Sequence, residues 1–305
     1  MKRFFIILLC LGLLLGLVGC KNENTEDEKL NIVTTVFPAF DFAREIAGGK
    51  ANVQMLLPPG TESHFYEPSL SDIAKIEQCD LFIYAGGDID SWADEVIKAL
   101  GKEIDVICMS SLVEPLHAEH GHEHQDGGYD SHVWTSPKNA KTICEKITER
   151  LCSLDTLNSE YYNSRLVYYS AQLDFLDSEL KSISETKTCN TLVFADRFPF
   201  LYLAKDYGFE YLAAIEGCSS ETEPTLTAVS AIIDTVNKQN IKTVFYIEFS
   251  SQKTADIVCS KTGANKKLLH SCHNVSSEEF ESETYVSLML QNVKNIKEAL
   301  CDGAY

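Results

Sequence analysis

Between residues 31 and 248 the chain alternates short apolar runs, rich in β-branched and aromatic residues, with longer runs of helical character. This alternation constrains the fold more than any other feature, because strands separated by crossover helices pair in parallel and are covered on both faces. In the first half the strand-like runs are 31–37, 52–57, 81–85 and 104–108. Helices are expected at 39–47, stopped by Gly48-Gly49, at 69–78 and at 91–100. Ser136-Pro137 opens a further helix, with serine as cap and proline at the first helical position. The second half repeats the pattern, with strands at 191–195, 211–215 and 243–248 and helices at 198–206, 225–237 and 252–261. A last helix is read from 277 to 300.

Between the halves, residues 159–184 contain neither glycine nor proline, and Leu166, Leu173 and Leu180 recur every seventh position. The segment reads as one helix of about 26 residues, roughly 39 Å long. Its length suits a rigid connector, so the expected class is α/β: two Rossmann-like lobes, each a mainly parallel sheet flanked by helices, joined by one long helix. The corresponding boundaries are 30–153 for the first lobe, 154–187 for the linker and 188–305 for the second. The alternative is a surface helix of one large domain.

The amino end adds a destination. Lys2 and Arg3 precede an apolar run, 4–18, too short for a comfortable membrane span, so residues 1–19 read as a signal peptide. Leu17-Val18-Gly19-Cys20 resembles the lipobox of bacterial lipoproteins, which implies lipidation of Cys20 and a cell-membrane anchor on the extracytoplasmic face. Residues 20–29 then form a polar tether. Losing Lys2 and Arg3 takes the net charge from −19 to −21. A surface this acidic argues against nucleic acid as a partner. The eleven cysteines contain no CxxC. Most sit in apolar contexts, whereas Cys218 and Cys272 lie in polar loops where a disulfide is an open option.

The eight histidines fall at loops, not inside predicted helices or strands. His64 lies in the turn-rich stretch Pro58-Pro59-Gly60-Thr61-Glu62-Ser63-His64, and His132 in Asp130-Ser131-His132-Val133-Trp134. His117, His120, His122 and His124 form an acid- and histidine-rich loop over 117–128, a composition expected to bind zinc as an accessory site, the alternative being a solvated linker. His270 and His273 close the set. Either of His64 and His132 alone reads as a surface residue; together they point to a metal.

Segments 60–73 and 130–139 resemble the two histidine motifs of the cluster A-I metal-binding lipoproteins, the zinc and manganese solute-binding proteins of ABC importers. The likeness covers nearly the whole mature chain. It implies a metal held between two lobes by about four ligands, with His64 and His132 among them, and an ABC permease as partner of a monomeric protein. The family's third ligand is a histidine, and Arg197 stands at that position, in Asp196-Arg197-Phe198-Pro199. Arginine stays protonated and cannot ligate. The family's fourth ligand is a carboxylate that maps to Leu268-Leu269-His270-Ser271-Cys272-His273, where His270 is ranked first, above His273, Glu248 and Asp196. A three-histidine set favours Zn2+ over Mn2+ and over oxygen-seeking cations. The chain is therefore expected to be no enzyme. The alternatives are a secreted zinc hydrolase, for which Glu248 is the one defensible base, and a surface adhesin, which leaves the histidines unexplained.

Overall fold

A computed structural model describes residues 29–101, 103–117, 129–215, 217 and 223–301. The signal peptide, Cys20, most of the tether, His120, His122, His124 and Cys218 lie outside the described residues.

The first half builds a four-stranded parallel sheet, order β2-β1-β3-β4, from β1 (Leu30–Thr34), β2 (Ala51–Met55), β3 (Leu81–Tyr84) and β4 (Val106–Cys108). The second half repeats this order, β6-β5-β7-β8, with β5 (Thr191–Arg197), β6 (Glu210–Ile215), β7 (Thr243–Tyr246) and β8 (Asn265–Leu268). In each sheet the winding reverses beside the first strand. Such a switch point leaves a crevice at the carboxyl ends of the strands, where open α/β sheets bind ligands.

Ten helices are described: α1 (Phe37–Ala47), α2 (Leu70–Gln78), α3 (Trp92–Leu100), α4 (Pro137–Leu154), α5 (Ser159–Thr186), α6 (Leu201–Tyr207), α7 (Leu226–Gln239), α8 (Lys253–Thr262), α9 (Ser277–Ser282) and α10 (Tyr285–Leu300). The long helix read from the sequence is α5. It buries Tyr162, Tyr169, Leu173, Leu176, Leu180 and Ile183 and packs along α4, α1 and α10, which come from both halves. One continuous apolar core therefore runs from Ile32 in β1 to Ile296 in α10. At its centre the buried Asp41 accepts hydrogen bonds from Tyr285 N (2.9 Å) and the Tyr169 hydroxyl (3.2 Å) and pairs with Arg44. Burial pushes its carboxyl above the ordinary range despite the Arg44 charge.

Three sequence expectations change. The first strand ends at Thr34, since Pro38 near the amino end of α1 starts a helix at Phe37. The final helix is two: Thr284 caps α10 in a reciprocal box with Ser287, and the chain bends at Glu283-Thr284. A fourth strand in the second sheet, β8, escapes the sequence because Asn265-Lys266-Lys267-Leu268 is a polar edge strand without an apolar run.

Candidate metal site

Three histidines from three loops meet beyond the carboxyl ends of the strands. His64 lies in the 3-10 turn Ser63–Phe65 after β2, His132 precedes the turn Val133–Thr135 that enters α4, and His273 lies between β8 and α9. One ring nitrogen from each comes within 4.8 Å of the others. The ring centroids are 4.5 Å apart for His132 and His273, 5.3 Å for His64 and His273, and 6.1 Å for His64 and His132.

Hydrogen bonds sew the three loops together. Asn274 Nδ2 donates to the carbonyls of Pro58 (2.7 Å) and Thr61 (2.8 Å), while Gly60 N donates to Val275 O (2.7 Å). The indole of Trp134, two residues after His132, donates to Ser271 O at 2.8 Å. On the other side Gly87, with φ at +64°, lies so close to Ser131 that a Cβ there would stand 2.8 Å from the serine's own. Only glycine fits.

Local chemistry fixes which nitrogen two of the rings present. His132 Nδ1 lies 2.8 Å from Asp130 Oδ1, and a carboxylate only accepts, so Nδ1 carries the proton and Nε2 the lone pair. Ser271 gives its hydroxyl proton to Glu248 Oε1, so its oxygen accepts from His273 Nδ1, again leaving the lone pair on Nε2. His64 Nε2 is shielded from solvent and takes part in no hydrogen bond. Three imidazoles gathered at one point suit a borderline divalent metal such as zinc better than calcium or magnesium.

His270, ranked above His273 from the sequence, stands outside this cluster. Its Nδ1 accepts from Cys272 N at 3.0 Å, which places the proton on Nε2 and leaves no lone pair to offer. Cys272 itself has φ at +64°, rare for a residue with a side chain, and this bend sets the two rings of the His270–His273 turn to different tasks. The spacing did hold a clue. In Asp130-x-His132 and Ser271-x-His273 the group that takes the Nδ1 proton stands two residues upstream, and nothing comparable precedes His270. Cys272 is a fully buried free thiol, so the Cys218–Cys272 pairing left open by the sequence finds no support at this end.

Glu248 follows β7 and stands behind the site, 3.7 Å from His273 Nδ1 and 3.8 Å from His270 Nδ1. Ser271 N donates to its second oxygen at 2.8 Å. Burial pushes this carboxyl up, but His270, His273 and Ser271 outweigh it and hold the group well below the usual carboxylate range. Arg197, at the end of β5, sends Nη2 to Glu62 at 3.2 Å and has Asp196 at 3.9 Å. Asp196 itself accepts from the backbone of Arg197 (2.8 Å) and Ile247 (3.3 Å). His117 is exposed and outside the cluster.

Residues 32–299 match the family described as zinc-uptake complex component A, periplasmic. The zinc-binding lipoprotein AdcA of Streptococcus pneumoniae is 31% identical over 98% of this chain, which spans only 61% of that relative's length. The high-affinity zinc uptake system protein ZnuA of Bacillus subtilis is 30% identical over 97% of this chain and 96% of its own. The crystal structure of the Zn(II)-bound ZnuA-like domain of the pneumococcal AdcA superposes with a TM-score of 0.76 at 29% identity, over 89% of this chain and 99% of that domain.

Proposed function

Because the chain belongs to the zinc-uptake complex component A family, we propose that it is an extracytoplasmic solute-binding protein that captures Zn2+ with His64, His132 and His273 and delivers it to the permease of an ABC importer. Membership in a family of uptake components, not enzymes, sets aside the hydrolase alternative. The lipidated Cys20 would hold the protein at the outer face of the cell membrane as a monomer. The loop carrying His117, His120, His122 and His124 would gather the ion beside the main site.

The observation that carries this reading is the convergence of three imidazoles, two of which, His132 and His273, have hydrogen-bond partners that turn their lone pairs toward the third. Zinc–nitrogen bonds of about 2.0–2.1 Å require the rings to close slightly around the ion. His64 and His132 come from the first half and His273 from the second, so that closure draws the halves together. The ligands bind only as neutral imidazoles, so capture releases any proton they hold and weakens in acid. Asp130 and the Ser271–Glu248 pair keep two of the rings in the binding tautomer, a role that outer partners of metal-bound histidines commonly fill.

The test is calorimetric. The mature chain, stripped with chelator, is expected to bind one zinc tightly and manganese more weakly, following the Irving–Williams order. His64→Ala should lower zinc affinity roughly a hundredfold or more. Undiminished affinity in that variant would reject the site.

A further inference from the structure

Three histidines leave a tetrahedral ion one ligand short, and the carboxylates nearby are already engaged. Asp130 holds His132, Glu248 holds Ser271, Asp196 receives two backbone N–H groups, and Glu62 pairs with Arg197. None joins the three-histidine group among the described residues. On the second-half side of the site lies Arg197, which lines a cavity together with His273. Its guanidinium pairs with Glu62 through Nη2 and lies 3.9 Å from Asp196, and its fork carries five N–H donors in all.

Two cavities meet at this arginine. The smaller, about 10 Å³ and so of the size of one water or one ligand atom, is lined by His273, Arg197, Glu248 and Glu62. The larger, about 250 Å³, shares Glu62, Arg197 and Phe249 with it and reaches Lys253 at the start of α8. A small molecule whose donor oxygen fills the first can thus rest its body in the second. We propose that the metal's fourth ligand is exogenous: a small carboxylate that places one oxygen on the ion beside His273 and pairs with Arg197, so that cation and anion are captured together. Arginine suits this task because its planar fork matches a carboxylate and keeps its charge at all physiological pH.

This inference rests on the three-histidine reading, and cobalt separates the two. Cobalt(II) takes the same kind of site as zinc and has visible absorption bands that respond to each change of ligand. The mature chain loaded with cobalt should show a saturable spectral shift on adding acetate, and a second, competing shift with azide. Arg197→Gln should keep the cobalt and lower acetate affinity at least about tenfold. Arg197→His replaces the guanidinium with an imidazole able to ligate, so its cobalt spectrum should be unresponsive to both anions. In parallel, zinc affinity measured calorimetrically should rise with acetate in the unsubstituted chain and not in Arg197→Gln. A cobalt-loaded chain whose spectrum ignores both anions would overturn the exogenous ligand while leaving the histidine site intact. An equal acetate response in Arg197→Gln would remove Arg197 from it. Failure to bind cobalt or zinc at all would overturn both readings.

Discussion

His270 and His273 are two residues apart and both buried, yet one turn of backbone gives them opposite tautomers. Cys272 N–H claims the Nδ1 lone pair of His270, whereas Ser271 Oγ accepts the Nδ1 proton of His273. Their alanine variants should therefore fail differently. His273→Ala should lower zinc affinity roughly a hundredfold or more with little change in urea stability. His270→Ala should bind zinc within a few-fold of the original chain but lose about 1–3 kcal/mol of stability, because a buried N–H is left without its acceptor. Calorimetry and urea unfolding on the same two proteins decide it, and swapped phenotypes would return the ligand to His270. Glu248 acts one step further out. It stays ionised across the neutral range, and Glu248→Gln should weaken zinc roughly 10–100-fold by loosening Ser271 and with it His273.

Among the elements, α2 offers a pH test free of the metal. Ser69 caps it and Asp72 returns the bond, with Lys75 at 2.8 Å from the same carboxylate. Partial burial alone would raise Asp72, but Lys75 and Ser69 lower it to about 2. A depressed carboxyl contributes its stability above the unfolded value and loses it as pH falls through the folded one. The advantage of the original chain over Asp72→Asn, measured by urea unfolding, should accordingly be full near neutrality and shrink as pH falls toward 2. An advantage that grows in acid would contradict the assignment. The helix α1 was legible in the sequence because an apolar run ends at the stop Gly48-Gly49. The strand β8 was not, since Asn265 to Leu268 pairs through its backbone with β7 and has no apolar signature. The site was legible to the same degree. His64 and His132 announce themselves through rigid, proline-bearing loops, but the choice between His270 and His273 turns on the left-handed backbone of Cys272, at which the serine two residues before His273 only hints.

At the scale of the molecule, two sheets of identical strand order share one core, with α5 packed against helices of both halves. The histidines bridge the same division, so a metal that binds them stabilises the whole chain and not one lobe. At a free zinc concentration a hundred times the dissociation constant, the gain is about 2.7 kcal/mol. Zinc should raise the thermal midpoint by a few degrees in the mature chain and by far less in His64→Ala, as followed by circular dichroism. Which three rings hold the ion is decided by diffraction from zinc-loaded crystals on either side of the zinc absorption edge. The prediction is one dominant anomalous peak about 2.0–2.1 Å from Nε2 of His64, His132 and His273. A dominant peak against His270, or within the 117–128 loop with none among the three rings, would contradict it.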